Sequence, residues 1–282
     1  MHCERTGPNV LTLRHPVVEA GWSQRYLLIA DVHFDNPLCD RKLLKRHLDE
    51  AKRDGAGVMC FGDWFDVMGG RSDPRRSKTG IRDAHNVDNY LDAVVDESAE
   101  YLAPYQGNLL MMADGNHESS IRKNVEVDLL EHLCRALQVQ HMGYSGWVRL
   151  LFERAAVGGH RTQRRLFYHH GWGGGGPVTK GTINPSRVAP YVPDADIVVY
   201  GHIHEQWLFP IERQRCTDGG RLFFDKQVHV QLPTFKQEYT LDGGYHMEKG
   251  RGPKPMGAWW MEFYYNTGKP GDVGVRFEMA ED

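Results

Sequence analysis

Short apolar runs that stop abruptly at polar clusters organise the first half of the chain. Tyr26-Leu27-Leu28-Ile29-Ala30 stops at Asp31-Val32-His33, Val58-Met59-Cys60-Phe61 at Gly62-Asp63, and Leu109-Leu110-Met111-Met112-Ala113 at Asp114-Gly115-Asn116-His117. Runs of this length bounded by turn residues read as strands buried on both faces. The segments between them carry a different period. From Asp40 to Asp54, Leu43, Leu44, His47, Leu48 and Ala51 recur at helical spacing, and Gly55 and Gly57 end the pattern. Val87 to Tyr105 and roughly Glu126 to Leu137 read as further helices. Strand–helix alternation demands crossover connections, hence a mainly parallel sheet with helices on its faces.

Past residue 138 the pattern changes. Arg165–His169 and Asp196–Tyr200 read as core strands with a glycine-rich loop, Gly171 to Gly176, between them. Arg221–Leu232, Ala258–Tyr265 and Val273–Met279 read as strands joined by Gly, Pro and Asn turns. Within Ala258–Tyr265, strand alternation puts Trp259 in the core and Trp260 outside, or the reverse. Residues 67–88 are polar and basic, with Arg71, Arg75, Arg76 and Lys78, and read as a loop or small insertion. No repeat or linker divides the chain, so residues 1–282 are expected to form a single domain.

Composition narrows the class. With 40% hydrophobic and 25% charged residues over 282, the chain is globular and long enough to bury a core without staples. No apolar run approaches the roughly 18–20 residues of a membrane span. Met1-His2-Cys3-Glu4-Arg5 opens without a signal-like apolar stretch, so cytoplasmic residence is the expectation. A formal charge of −3 gives no basic excess pointing to nucleic acid. Cys3, Cys39, Cys60, Cys134 and Cys216 are widely spaced and never form CxxC, which reads as free thiols and no cysteine zinc site. Histidine, at 15 residues, is the outlier.

Those histidines cluster where strands end. The first run supplies Asp31 and His33, the second Asp63 and Asp66, the third Asn116 and His117; later strands supply His169 or His170, then His202 and His204. Ligands bind outside the carboxyl ends of parallel strands, so these side chains are expected on one rim. Residues two apart on extended backbone point the same way, which lets Asp31 and His33 share one ion and lets His202 and His204 face one cluster. Gly62, Gly115, Gly171 and Gly201 adjoin them and permit tight turns and close approach. Imidazole, carboxylate and amide oxygen suit Mn²⁺, Fe²⁺, Zn²⁺ or Mg²⁺. Asp31, His33, Asp63, Asn116, His170, His202 and His204 are too many donors for one ion, but fit two ions sharing a carboxylate. Singly the motifs are weak: a lone histidine is more often structural, and Gly-His-x-His arises by chance about 0.1 times in such a chain. Their order and their placement after apolar runs carry the weight.

In that order, Asp31-Val32-His33, Gly62-Asp63-Trp64-Phe65-Asp66, Gly115-Asn116-His117-Glu118, His170-Gly171 and Gly201-His202-Ile203-His204, the chain resembles the calcineurin-like metallophosphoesterase family. The resemblance implies an α/β fold, a four-layer α/β/β/α sandwich with two mixed β-sheets. It implies two divalent metal ions, Mn²⁺ foremost. Asp31, His33 and His204 would hold one, Asn116, His170 and His202 the other, and Asp63 would bridge. His170 is preferred to His169 because the family histidine commonly precedes glycine. His117 would lie by the leaving-group oxygen as general acid or stabiliser, and Asp66 would orient a ligand or His117, although such an aspartate can also simply cap a turn. The implied activity is hydrolysis of a phosphate ester by metal-activated water, without a covalent phospho-enzyme. Val67 follows Asp66 where the family's protein phosphatases typically carry arginine, which favours a phosphodiester or nucleotide-type substrate. A nuclease, a phosphomonoesterase and a non-catalytic interaction module on the same fold are the alternatives. Arg71, Arg75 and Arg76 could contact an anionic substrate, though charged loops are more often merely solvated.

Overall fold

The computed structural model describes every residue except 16–17, 68–80, 154–160, 175, 177, 241–244, 249, 269–271 and 281–282. The three apolar runs become neighbours in one sheet. β3 (Ser23–Ile29), β4 (Gly57–Cys60), β5 (Leu109–Ala113) and β6 (Gln140–Met142) pair in parallel, and β12 (Ala258–Tyr265) and β13 (Val273–Ala280) add antiparallel beyond β3. The second sheet takes β1 (His2–Gly7), β2 (Val10–His15), β7 (Ser145–Glu153), β8 (Arg161–His169), β9 (Ile197–Tyr200), β10 (Trp207–Cys216) and β11 (Leu222–Gln231), in the order β1-β2-β7-β8-β9-β11-β10. Both sheets are mixed: in the second, β2 runs parallel to β7, and β9 parallel to both β8 and β11.

Alternation along each strand explains the layers. Tyr26 and Leu28 of β3, Met59 of β4 and Met111 of β5 face Val148 and Leu150 of β7, Leu166 of β8 and Val199 of β9 across the gap between the sheets. The intervening residues Leu27, Ile29, Val58, Cys60 and Met112 face the other way. There α1 (Arg41–Arg53), α2 (Tyr90–Leu102), α3 (Asn116–Val125) and α4 (Leu129–Leu137) cover them with Leu44, Leu48, Val94, Ile121, Leu130 and Leu133. On the far side of the second sheet, Val198 and Tyr200 pack under α5 (Asn184–Val188) and the segment after it, through Val188, Val192 and Ala195. This is the four-layer α/β/β/α arrangement expected. Strands covered on both faces must be apolar throughout, which is why β3, β4 and β5 read so clearly.

Several expectations need correction. Strand–helix alternation alone reads as one mainly parallel sheet; those strands are part of one of two stacked sheets, as the motif resemblance implies, and the amino-terminal β1–β2 pair joins β7 rather than β3. The helix read from Glu126 begins at Leu129, where the Asp128 carboxylate accepts the Glu131 N–H, and a separate helix, α3, precedes it. The Val87–Tyr105 helix is α2 alone, starting at Tyr90; Ala103–Tyr105, which contains Pro104, is a short 3-10 turn. Trp259 and Trp260 do point to opposite faces, but both are buried, because β12 has the second sheet on one side and the helices on the other. Of the basic segment 67–88, residues 68–80, with Arg71, Arg75, Arg76 and Lys78, lie outside the described residues. The cysteines are free, and among the described residues no helix is long and apolar enough to cross a membrane.

Candidate metal centre

The carboxyl ends of β3, β4 and β5 meet those of β8 and β9, so the rim is built from both sheets. The segments that follow β3, β4 and β9 leave their strands through an unusual backbone. Asp31 (φ 51°), His33 (φ 48°), Asp63 (φ 52°), His202 (φ 73°) and His204 (φ 54°) all sit in the left-handed region. This corrects the picture of extended segments whose alternate residues share a face: in Asp31–His33 and in His202–His204 both donors have positive φ, so neither segment is extended. Such conformations cost non-glycine residues on the order of 1–3 kcal/mol each, and they persist where surrounding bonds over-determine them. Here they do. Asp31 N–H donates to Gly62 O (3.0 Å), His33 N–H to Asp63 O (3.1 Å) and Phe34 N–H to Trp64 O (2.8 Å), so the first two loops are zipped together. The buried Glu118 carboxylate accepts from the N–H groups of Asp63 (3.1 Å), Phe65 (3.0 Å) and Gly115 (2.8 Å), tying the second loop to the third. Burial, with Asp63 nearby, pushes the Glu118 carboxyl up to about 8. Two glycines are needed for room. A Cβ on Gly115 would fall 2.0 Å from Asp63 Oδ1, and one on Gly62 (φ 105°) would fall 2.4 Å from His170 Nδ1.

Two groups of donors face each other across Asp63. In the first, His33 Nε2 and His204 Nε2 are 3.3 Å apart, and His204 Nε2 is 3.4 Å from Asp31 Oδ1. The remote ring nitrogens rest on carboxylates: His33 Nδ1 is 3.0 Å from Asp66 Oδ1, and His204 Nδ1 is 3.6 Å from Glu238 Oε2. In the second, Asn116 Oδ1 is 2.6 Å from His202 Nδ1 and 3.2 Å from His170 Nε2. Here the remote nitrogens donate to backbone carbonyls, His170 Nδ1–H to Phe61 O (2.9 Å) and His202 Nε2–H to Gly173 O (2.8 Å). Asp63 Oδ2 lies 3.3 Å from His170 Nε2, and His33, Asp63 and His117 also have ligand atoms within 4.8 Å of one another. An imidazole held through one nitrogen offers the other in a fixed tautomer and direction, as divalent-metal sites require. The donor set therefore fits two ions, one in each group.

The electrostatics are those of an anionic pocket whose positive charge is supplied by protons. Burial opposes charge on His170, but Asp63 and Asp31 outweigh it and raise the ring to about 10. Burial likewise opposes charge on His204, and Asp31 with Glu238 raises it to about 9. Burial lifts Asp63, yet His170 and His117 hold it well below the usual carboxylate range. His33 is lowered, chiefly by burial, against the pull of Asp66. Divalent ions would displace protons from the raised rings.

His117 stands beside these groups on the first turn of α3, its Nε2 3.8 Å from Asp63 Oδ2. Its Nδ1–H donates to the Asp66 backbone carbonyl (2.6 Å), so Asp66 orients His117 through the main chain. The Asp66 carboxylate is used elsewhere, by His33, by Asn36 Nδ2 (2.7 Å) and by Lys236 Nζ (3.0 Å). His169 is outside the cluster: its Nδ1 accepts the Gly171 N–H (3.0 Å), and its ring packs against Tyr144 and Trp172. Sequence reasoning missed Glu118, Asp35, Lys236 and Glu238. Asp35, buried, accepts the N–H groups of Asp66 (2.6 Å) and Val67 (2.9 Å). Glu118 sits three residues after the helix-capping Gly115, a capping-box position that could have revealed it. A further acidic–histidine group, Asp114, Asp128 and His141, is already engaged: the Arg122 guanidinium bonds both aspartates, and His141 lies 3.0 Å from Asp114.

No protein-family model matches the sequence, and no curated protein matches it. Among solved structures, the chain is similar to a conserved Streptococcus pneumoniae TIGR4 protein described as a predicted phosphoesterase, with 11% identity and a TM-score of 0.36, over 93% of this chain and 92% of that one. It is similar to Chaetomium thermophilum Vps29, with 11% identity and a TM-score of 0.37, over 90% of this chain and 97% of that one. It is also similar to GAP50, the anchor in the inner membrane complex of Plasmodium, with 10% identity and a TM-score of 0.47, over 92% of this chain and 85% of that one.

Proposed function

We propose that the chain is a dinuclear metal-dependent phosphoesterase, acting on a phosphodiester or nucleotide-type substrate. One observation carries this reading: four imidazoles converge on Asp31, Asp63 and Asn116, His170 and His202 each held by a backbone carbonyl, His33 and His204 each backed by a carboxylate, Asp66 at 3.0 Å and Glu238 at 3.6 Å. Asp31, His33 and His204 would hold one ion, Asn116, His170 and His202 the other, and Asp63 would touch both. Bound there, two divalent cations supply Lewis-acid stabilisation of phosphoryl charge and a water acidic enough to be a nucleophile near neutral pH. The rest falls to side chains. His117, tethered at Nδ1, keeps Nε2 free at the edge of the cluster and gives its proton to the departing oxygen. Asp31 and Asp63, both buried, stay ionised and hold the donors together by accepting the N–H groups of His202 and His117.

The test is hydrolysis of bis-p-nitrophenyl phosphate beside p-nitrophenyl phosphate by the Mn²⁺-loaded chain, with ion content measured in parallel. Diester turnover with two ions per chain is expected. A preference for the monoester would make the chain a phosphomonoesterase, and failure to bind ions after reconstitution would overturn the reading.

A further inference from the structure

Behind the first donor group lies a lysine that the proposed chemistry does not use. Lys236 is 8% exposed, and its ammonium lies 3.0 Å from Asp66 Oδ1 and 3.3 Å from Glu238 Oε1. Those are the two carboxylates that back His33 and His204. The contacts form a ring: His33, Asp66, Lys236, Glu238, His204, closed where the two Nε2 atoms meet at 3.3 Å. The lysine is itself fixed by the strap that follows β11. Thr234 Oγ1 and Phe235 N–H both donate to Asp31 O (2.8 and 3.1 Å), Lys236 N–H donates to Thr234 Oγ1 (3.0 Å), and Gln237 N–H donates to Leu38 O (2.9 Å).

We infer that Lys236 is a positioning residue: by bridging Asp66 and Glu238 it holds both carboxylates in place behind the remote nitrogens of His33 and His204, and so sets the ion affinity of that half of the centre. The inference rests on the dinuclear reading. The physical reason is charge. Two carboxylates brought this close repel each other, and a carboxylate displaced by that repulsion no longer backs an imidazole. The other half needs no such device, because Phe61 O and Gly173 O are neutral and fixed by the backbone.

The experiment measures Mn²⁺ binding calorimetrically on the full chain, in two backgrounds that leave one half each. Asn116→Ala keeps the Asp31–His33–His204 group; His204→Ala keeps the other. Adding Lys236→Met is expected to weaken Mn²⁺ binding about 10- to 100-fold in the Asn116→Ala background, the usual effect of losing a partner behind a metal ligand. In the His204→Ala background it should change affinity by no more than about twofold. Lys236→Arg, which keeps the charge and can reach two acceptors, should recover most of the loss. Equal weakening in both backgrounds would reduce Lys236 to a general prop of the fold, and unchanged affinity in both would remove any role; either overturns the inference. If the wild-type chain binds no Mn²⁺, the dinuclear reading itself fails.

Discussion

The two halves of the candidate centre hold their histidines by opposite means. His33 and His204 lean on the carboxylates of Asp66 and Glu238, which Lys236 joins; His170 and His202 lean on the carbonyls of Phe61 and Gly173. A carboxylate makes the imidazole a stronger donor and adds negative charge, but it is one substitution from being lost. A carbonyl adds no net charge, and no side-chain change removes it. One half is therefore adjustable through residues remote from the reaction, and the other is fixed by the course of the chain itself.

That contrast can be broken outright at the residue both halves share. Asp63→Asn should weaken ion retention in both and lower phosphodiester turnover by at least about 100-fold, read from ion content and rate together. His117→Ala tests a group outside the contrast: turnover should fall about 10²- to 10⁴-fold while ion content stays at the wild-type value, and loss of ions would reassign His117 as a ligand. Asp66→Asn should separate the halves, costing about 10- to 100-fold in affinity at the carboxylate-backed group, and a Mn²⁺ titration showing equal loss at both would erase the distinction. The mildest effect is on stability. His204 and His170 stand at about 9 and about 10 against an ordinary 6.5, so their protonated contacts stabilise the folded metal-free chain in full below about pH 6.5. That stabilisation drains away as pH rises through 9 and 10. The Tm of metal-free protein should fall across this window in scanning fluorimetry, while Mn²⁺, displacing those protons, should bind more tightly.

What could be read from the amino-acid order divides along a physical line. β5, from Leu109 to Ala113, and β12, from Ala258 to Tyr265, were legible to the residue, because apolar runs between turn residues announce themselves locally. The donors were legible because they directly follow such runs. The split into two sheets was legible only through the motif resemblance, since it depends on β2 pairing with β7, more than a hundred residues away, and no local pattern encodes that register. The positive φ at Asp31, His33, Asp63, His202 and His204 was not legible: Asp and His adopt it more readily than most non-glycine residues, but no local pattern says where they do. Lys236 and Glu238 stayed invisible for a related reason. In Phe235-Lys236-Gln237-Glu238 they look like an ordinary solvated stretch, and only the strap across Asp31 buries Lys236 and sets Glu238 against it.

The left-handed donors carry an evolutionary consequence. At each of these positions the backbone would relax if glycine stood there, at the cost of the bonds that the side chains make, such as those of Asp31 and Asp63 to the His202 and His117 N–H groups. Drift alone would erode the constellation, since changes that relieve such strain are common and usually trade activity for stability. A lineage in which all five remain is one in which selection for their chemistry keeps opposing that drift.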